Sequence, residues 1–495
     1  MNRRDCVLGL TAGATLAALE PSIAAAARVA SPAGADLAGL PLARAAALLR
    51  SGKVSPVDLT EACLARIARL DPGLNTFITL TGDAALESAR ECTAEIARRG
   101  PRGPLHGIPL ALKDNIDTAG VRTTAASAAF ADRVPAADAE VVRRLKAAGA
   151  ILLGKLNMDE CAYGVTSTSG YFGAVHNPRA PTHVAGGSSG GPAAAVAAGL
   201  CFGALGTDTG GSIRQPAAYC GVVGLMPTYG RVSARGVMPL SSSLDHVGPL
   251  SRTVEDATLL LQAIAGFDPG DAHSLYGDVP DFAADARRTR VAGLRLGRPG
   301  AFFDDLDPEV ASAIDSALAL LARLTAGIAP VTLPPVPSLP LMFVESASYY
   351  GPLLGDGQPG SLLEKVSPAV RALVQTGGRI SAVKYADGRT ALALVRNQAR
   401  EVFRDVDLLV TPTTPDLPTT IAAARVPSNE HGPPRSARNT TPFNVYGLPT
   451  ISLPCGVSRE GLPIGLQISG PPGGEARVLA LAGAFERETA AWRQE

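Results

Sequence analysis

The chain alternates short apolar runs with longer segments in which apolar residues recur every three or four positions. Ser55-Pro56-Val57-Asp58 predicts a helix start, with Ser as N-cap, Pro at the first helical position and an acid at the third. That helix is expected to run to about Leu70 and to stop at Asp71-Pro72-Gly73. Asp138 is expected to cap a second helix, ended by Gly149. Ile151-Leu152-Leu153 then reads as a short buried strand. The alternation recurs later. Pro308 to Leu324 reads as helix and Ile328 to Leu333 as extended chain. Leu408-Leu409-Val410, Thr450 to Leu453 and Ile464 to Ile468 read as strands, and Glu475 to Glu488 as a helix. Helices alternating with short apolar strands predict an α/β fold whose sheet is covered by helices on both faces. No internal repeat interrupts this pattern.

Residues 185–225 depart from it. Gly, Ser and Thr crowd there, and glycines set between packed elements serve tight backbone geometry. A first loop, Gly186-Gly187-Ser188-Ser189-Gly190-Gly191-Pro192, opens an Ala-rich helix, whose first N–H groups lack partners. A second reads Gly206-Thr207-Asp208-Thr209-Gly210-Gly211-Ser212-Ile213-Arg214. Two glycines directly before a Ser let backbone N–H groups converge on one point, as an oxyanion hole requires. A Ser nucleophile also needs a base. His106, His183 and His246 are the nearest histidines, but none lies in a matching local pattern. Lys113 ends the apolar run Gly107-Ile108-Pro109-Leu110-Ala111-Leu112. A lysine at the end of a buried strand is desolvated, and desolvation favours the neutral amine, a proton acceptor. By spacing alone, Lys113 could equally be ion-paired with Asp114 or Asp117.

Charge narrows the function classes. The 495 residues carry 45 Lys+Arg and 45 Asp+Glu, so no basic surplus is available for a polyanion. Only 6 His are present, which limits metal sites, and the 7 Cys lack zinc-ligand spacing, so a zinc site is not expected. Chemistry by a Ser nucleophile with a Lys base needs no metal or organic cofactor. The amino terminus has its own pattern. Asn2-Arg3-Arg4-Asp5 precedes an apolar stretch from Val7 to Leu19 and then Ala24-Ala25-Ala26-Ala27. Residues 1–27 therefore read as a twin-arginine export signal, giving a periplasmic or secreted protein. The apolar run is too short for a permanent membrane anchor. Residues 28–495 are expected to form one domain.

Gly107 to Asp117, Gly154 to Glu160, Gly186 to Pro192 and Gly203 to Arg231 together resemble the amidase signature family. The likeness continues through Ser242-Ser243-Leu244-Asp245, Val247-Gly248-Pro249, Tyr446-Gly447-Leu448-Pro449 and Gly461 to Gln467. Residues 270–440 are the least typical, and we expect them to shape the substrate pocket. The resemblance implies the amidase signature fold, with a central mixed β-sheet between helical layers. It implies Ser212 as nucleophile, Ser188 as a bridging Ser after a cis Gly187–Ser188 peptide, and Lys113 as general base. The backbone N–H groups of Thr209, Gly210, Gly211 and Ser212 would hold the oxyanion, and Ala162 would touch substrate. Asp208 and Arg214 are expected to be structural partners of the nucleophile loop.

Two decoys are set aside. Gly187 to Gly191 fits G-x-S-x-G with Ser189 as nucleophile, and Ser381-Ala382-Val383-Lys384 fits S-x-x-K, but neither has its companion motifs. Tyr349, Tyr350 and Phe343 could line an apolar acyl or aryl site, though core packing is the favoured reading. The expected function is an exported amidase that cleaves a small-molecule amide, an aryl acylamide or a carbamate through an acyl-enzyme. Its partners would be the substrate alone, with no nucleic acid, in a monomer or homodimer. The alternative is the glutamine-hydrolysing amidase subunit of a tRNA-dependent amidotransferase, which residues 210–218 and 227–233 closely resemble. The export signal weighs against it. A catalytically silent binding protein is the non-enzymatic alternative.

Overall fold

The computed structural model describes residues 36–355, 358, 360–425 and 434–489. The expected export signal at residues 1–27 lies outside them.

Eleven strands form one sheet. In chain order they are β1 (Phe77–Leu80), β2 (Pro109–Lys113), β3 (Ile151–Leu156), β4 (Gly203–Asp208), β5 (Val223–Met226) and β6 (His246–Ser251). They continue as β7 (Leu296–Pro299), β8 (Ile328–Val331), β9 (Leu408–Pro412), β10 (Thr450–Val457) and β11 (Pro463–Ser469). Their order across the sheet is β1-β3-β2-β4-β6-β5-β10-β11-β9-β7-β8. β3, β2 and β4 run parallel, as do β9, β7 and β8. The strands between them pair antiparallel, so the sheet is mixed, as expected. β2 is buried along its whole length, which explains why it reads as a continuous apolar run rather than an alternating one.

The helix Gly190–Ala197 is buried on every side. Its small residues let it lie close to the sheet. A Cβ on Gly191 would collide with the Asn157 backbone, so that position accepts only Gly. The helices predicted at Pro308–Leu324 and Glu475–Glu488 form with those bounds.

Two predicted boundaries are corrected. The helix starting at Pro56 does have the Ser55–Asp58 capping box, but it runs through Pro72 to Leu74. Pro72 forfeits only one helical bond. Asp71 then holds the exit, accepting the N–H groups of Thr76 at 2.8 Å and Phe77 at 3.3 Å. Asp138 does not cap the helix Glu140–Ala147. Its carboxylate accepts instead from Ala119 N at 2.8 Å and from Lys146 Nζ, and Ala139 stands at the N-cap.

The aromatic residues of the middle section divide. Tyr350 is wholly buried with Phe130, Leu354 and Leu363. Phe343 packs with Ala162, Leu240 and Leu373. Tyr349 is half-buried and lines a cavity of about 230 Å³ together with Tyr229, Ser242 and Asp245.

Candidate active site

Lys113 is the last residue of β2, and its side chain is fully buried. β4 runs parallel beside it, with Leu112 opposite Leu205, so Thr207 lies within reach. Lys113 Nζ is 2.8 Å from Ser188 Oγ, 2.8 Å from Thr207 Oγ1 and 3.3 Å from the Thr207 carbonyl. Burial pushes the Lys113 ammonium down to about 7, against the opposing pull of Asp159, Asp208 and Asp245. A lysine so placed is substantially neutral near pH 7 and can take a proton from the hydroxyl it touches. The ion-pair alternative does not hold. Asp117 pairs with Arg133 at 2.7 Å, and Asp114 faces the buried Lys155 at 3.9 Å.

The Gly187–Ser188 peptide is cis. Gly187 N donates to Gln215 Oε1 at 2.8 Å, and Ser189 N donates to the Ser212 carbonyl at 3.1 Å. These bonds bring the two Gly/Ser loops together. Ser189 itself is buried, and its hydroxyl donates to the Thr207 carbonyl at 3.1 Å. It therefore stitches the first loop to β4 and leaves the nucleophile position to another Ser. Ser381 caps the helix Ala382–Glu401, which accounts for the second decoy. Among the described residues, the Ser212 hydroxyl makes no hydrogen bond and stays open to a substrate.

The nucleophile loop is shaped from beneath by Asp208. Its carboxylate accepts from Gly211 N at 2.7 Å, Ile213 N at 3.0 Å and Arg214 N at 3.3 Å. Arg214 closes on the same carboxylate, with Nε 3.0 Å from Oδ2 and Nη2 3.1 Å from Oδ1. Its other contacts are Gln467 Oε1 at 2.9 Å and Asn444 Oδ1 at 2.6 Å. Burial pushes the Asp208 carboxyl up, but the charge and hydrogen bonds of Arg214 outweigh it and hold it well below the carboxylate range. The pair lies beneath the loop, as a structural partnership requires. Arg214→Met would leave that carboxylate buried and unpaired. The expected loss is about 3–5 kcal/mol of stability, read by urea denaturation. A loss under about 1 kcal/mol would show that the pair is dispensable.

The loop geometry sorts the oxyanion donors. Gly211 has φ 129°, and a Cβ there would collide with Thr440. The Gly210 carbonyl accepts from Thr440 Oγ1 at 2.7 Å and Thr441 Oγ1 at 3.0 Å, while the N–H of the same peptide goes to Asp208. Gly211 N–H is thus spent inside the loop, contrary to its expected role as a donor. The Asp208 carbonyl is held by Asn444 Nδ2 at 2.9 Å, and the Gly211 carbonyl by Gln215 N at 2.8 Å. A trans peptide points N–H opposite its carbonyl, so these bonds aim the Thr209 and Ser212 N–H groups the other way. Among the described residues, the N–H groups of Thr209, Gly210 and Ser212 donate to nothing.

Ala162 is buried at φ 61° beside Ala126, Met158, Leu240 and Leu373. The three histidines are engaged elsewhere. His106 Nδ1 accepts from Arg102 N at 3.0 Å, His183 Nδ1 lies 3.1 Å from Thr182 Oγ1, and His246 Nδ1 lies 2.7 Å from the Leu244 carbonyl. The sequence reading missed Thr207, Thr440 and Asn444. Thr207 lies inside a quoted motif and Thr440 and Asn444 lie just before another, but only the tertiary contacts reveal their partners.

This geometry belongs to a known class. The amidase family model matches residues 58–479, and the chain is a member of that family. It is 42% identical over 469 residues to a glutamyl-tRNA(Gln) amidotransferase subunit of Moorella thermoacetica, a match that covers 89% of this chain and 95% of the relative. Among solved structures it resembles a bacterial aryl acylamidase of the amidase signature family, with TM-score 0.85 and 28% identity over 93% of this chain and 98% of that one. It also resembles the corresponding glutamyl-tRNA(Gln) amidotransferase subunit of Thermotoga maritima, with TM-score 0.71 and 32% identity over 91% and 95%. The protein is an amidohydrolase acting on amide C–N bonds, and its fold is the amidase signature α/β fold.

These relatives overturn two expectations. One is the amidase acting on a free small-molecule amide or carbamate. The other is the partner set without nucleic acid, in a monomer or homodimer. Identity above 40% extends over 95% of a relative that is named as one subunit of a tRNA-linked amidotransferase. Residues 1–27 weighed against that alternative, but they lie outside the matched span, residues 58–479.

Proposed function

We propose that this chain is the amide-cleaving subunit of an amidotransferase of the glutamyl-tRNA(Gln) type, hydrolysing the carboxamide of glutamine to release ammonia. The observation that carries this reading is the 42% identity to one such protein over nearly its full length. In the proposed reaction, neutral Lys113 takes the Ser188 proton while Ser188 takes that of Ser212. Ser212 Oγ attacks the carboxamide carbon. The free N–H groups of Thr209, Gly210 and Ser212 hold the resulting oxyanion. The proton returns through Ser188 to the departing nitrogen, which leaves as ammonia. Water then enters by the same route, and the acyl-enzyme yields glutamate. Asp208 and Arg214 keep the loop in shape throughout. The chain has no excess of basic residues, so tRNA contacts fall to partner subunits.

The test is ammonia release from glutamine by the purified chain, alone and with co-expressed partner subunits, beside aryl acylamides, peptide amides and carbamates. Glutamine should be the preferred substrate, with turnover rising in the complex. No ammonia from glutamine under either condition would overturn the reading. Location supplies a second test, because the amino-terminal pattern argues for export while a tRNA-linked role requires the cytoplasm. A full-length cytoplasmic chain would support the proposal. A processed chain outside the cytoplasm would sink it.

A further inference from the structure

Thr209 opens the nucleophile loop, and its side chain reaches Asp245. Thr209 Oγ1 donates to Asp245 Oδ1 at 2.5 Å. Asp245 Oδ2 accepts from Leu240 N at 2.9 Å and Ser241 N at 3.1 Å, which folds residues 240–245 into a tight turn around the carboxylate. That turn is anchored from outside the signature, by two helices of the atypical middle section, Leu341–Leu354 and Ala382–Glu401.

Glu345 is the centre of the anchor. Its side chain is only 6% exposed. Glu345 Oε2 accepts from Ser241 Oγ at 2.5 Å and Ser243 N at 3.0 Å, and Oε1 accepts from Ser243 Oγ and, at 2.9 Å, from Tyr385 OH. Arg389 Nη1 lies 3.7 Å from Oε1 and donates to Ser243 Oγ at 2.8 Å. Ser346 Oγ adds a bond to the Leu240 carbonyl at 2.5 Å. A buried carboxylate with this many donors is expensive to leave half-satisfied, so the turn has one arrangement that suits it. Met342 and Phe343, on the same helix, pack with Ala162 and Leu240.

We propose that Glu345 is a positioning residue for catalysis, which sets the Thr209 end of the oxyanion loop through Ser241, Ser243 and Asp245. The atypical section thereby does more than form a wall near Ala162. It braces the loop that holds the reacting oxygen. The idea rests on the serine-amidase reading of Ser212, but not on glutamine as substrate.

A double-mutant cycle between Glu345→Gln and Thr209→Val tests it, with two readouts. One is the rate at which a fluorophosphonate labels Ser212, since the phosphonyl oxygen uses the same N–H donors whatever the natural amide. The other is kcat against KM for ammonia release from glutamine. Each single variant should lower the labelling rate and kcat by about 10–100-fold, with KM changed less than about 3-fold. The double variant should be no slower than Thr209→Val alone, because both act on one path. Glu345→Asp should recover part of the loss. Glu345→Gln matching the wild type, or losses that multiply in the double variant, would overturn the proposal. If Glu345→Gln lowers the melting temperature too far for assay, Ser243→Ala takes its place in the cycle under the same criteria. Labelling that persists in a wild type unable to cleave glutamine would count against the glutamine reading alone. The cycle would then still decide the role of Glu345.

Discussion

Ser212→Ala is expected to lower amide turnover by about 10⁶-fold, leaving only the slow reaction that binding and the oxyanion donors sustain. Ser212 has an open hydroxyl at the start of the helix Arg214–Cys220, and the peptides on both sides of it are held. Removing Oγ leaves that framework standing, because the loop is built on Asp208, Arg214 and Asn444 rather than on the serine hydroxyl. The melting temperature should therefore stay within a few degrees of the wild type while kcat collapses. Ser188→Ala would also remove the bridge but leave the nucleophile, so its loss should be smaller. Turnover by Ser212→Ala above about one-hundredth of wild type would reassign the nucleophile.

Lys113→Met is expected to cost about 10³–10⁴-fold in kcat/KM for amides and distinctly less for activated esters. The difference follows from the leaving group. An amide nitrogen must be protonated as it departs, and in the proposed relay Lys113 returns that proton through Ser188. An activated alkoxide or phenoxide departs with little help. The pH profile gives an independent signature. The base works only as the neutral amine, and burial brings its pKa down to about 7. Activity of the wild type should thus rise as pH increases through about 7 and level off above it. Below that pH the ammonium forms and the Ser188 proton has nowhere to go. Lys113→Met should lose the rise along with the rate. A variant that kept the same ascending limb would show that another group, such as Asp245, carries it. Burial pushes the Asp245 carboxyl up to about 7, against its hydrogen bonds from Thr209, Ser241 and Leu240.

The alternation of short apolar runs and helical periods was enough to predict a covered α/β sheet, because strand burial and helix faces are written in local periodicity. The Gly-Gly-Ser run at 210–212 identified the loop, since two residues without Cβ atoms permit a backbone that other residues cannot adopt. The resemblance to the amidase signature family added the roles expected of Lys113 and Ser188. Pattern also misled. Gly211 looks like an oxyanion donor by its place before Ser212, yet its N–H is already bound to Asp208. Asp138 looks like a cap but serves Ala119 and Lys146. In both cases a nearby competitor decided, and local order alone does not rank competitors.

By itself, the sequence determined the type of fold, the loop that carries Ser212 and the lysine at the end of an apolar strand, because each depends on neighbours in the chain. Only the tertiary structure decided what those groups touch. Lys113 and Thr207 meet because β2 and β4 run parallel side by side, although the two residues are 94 positions apart in the chain. Asp114 turns to Lys155 rather than to the lysine next to it, and Glu345 reaches the Ser241–Asp245 turn across more than 100 residues. Desolvation of Lys113 is likewise a property of the closed sheet and its helices, since a lysine in an open chain remains hydrated and charged.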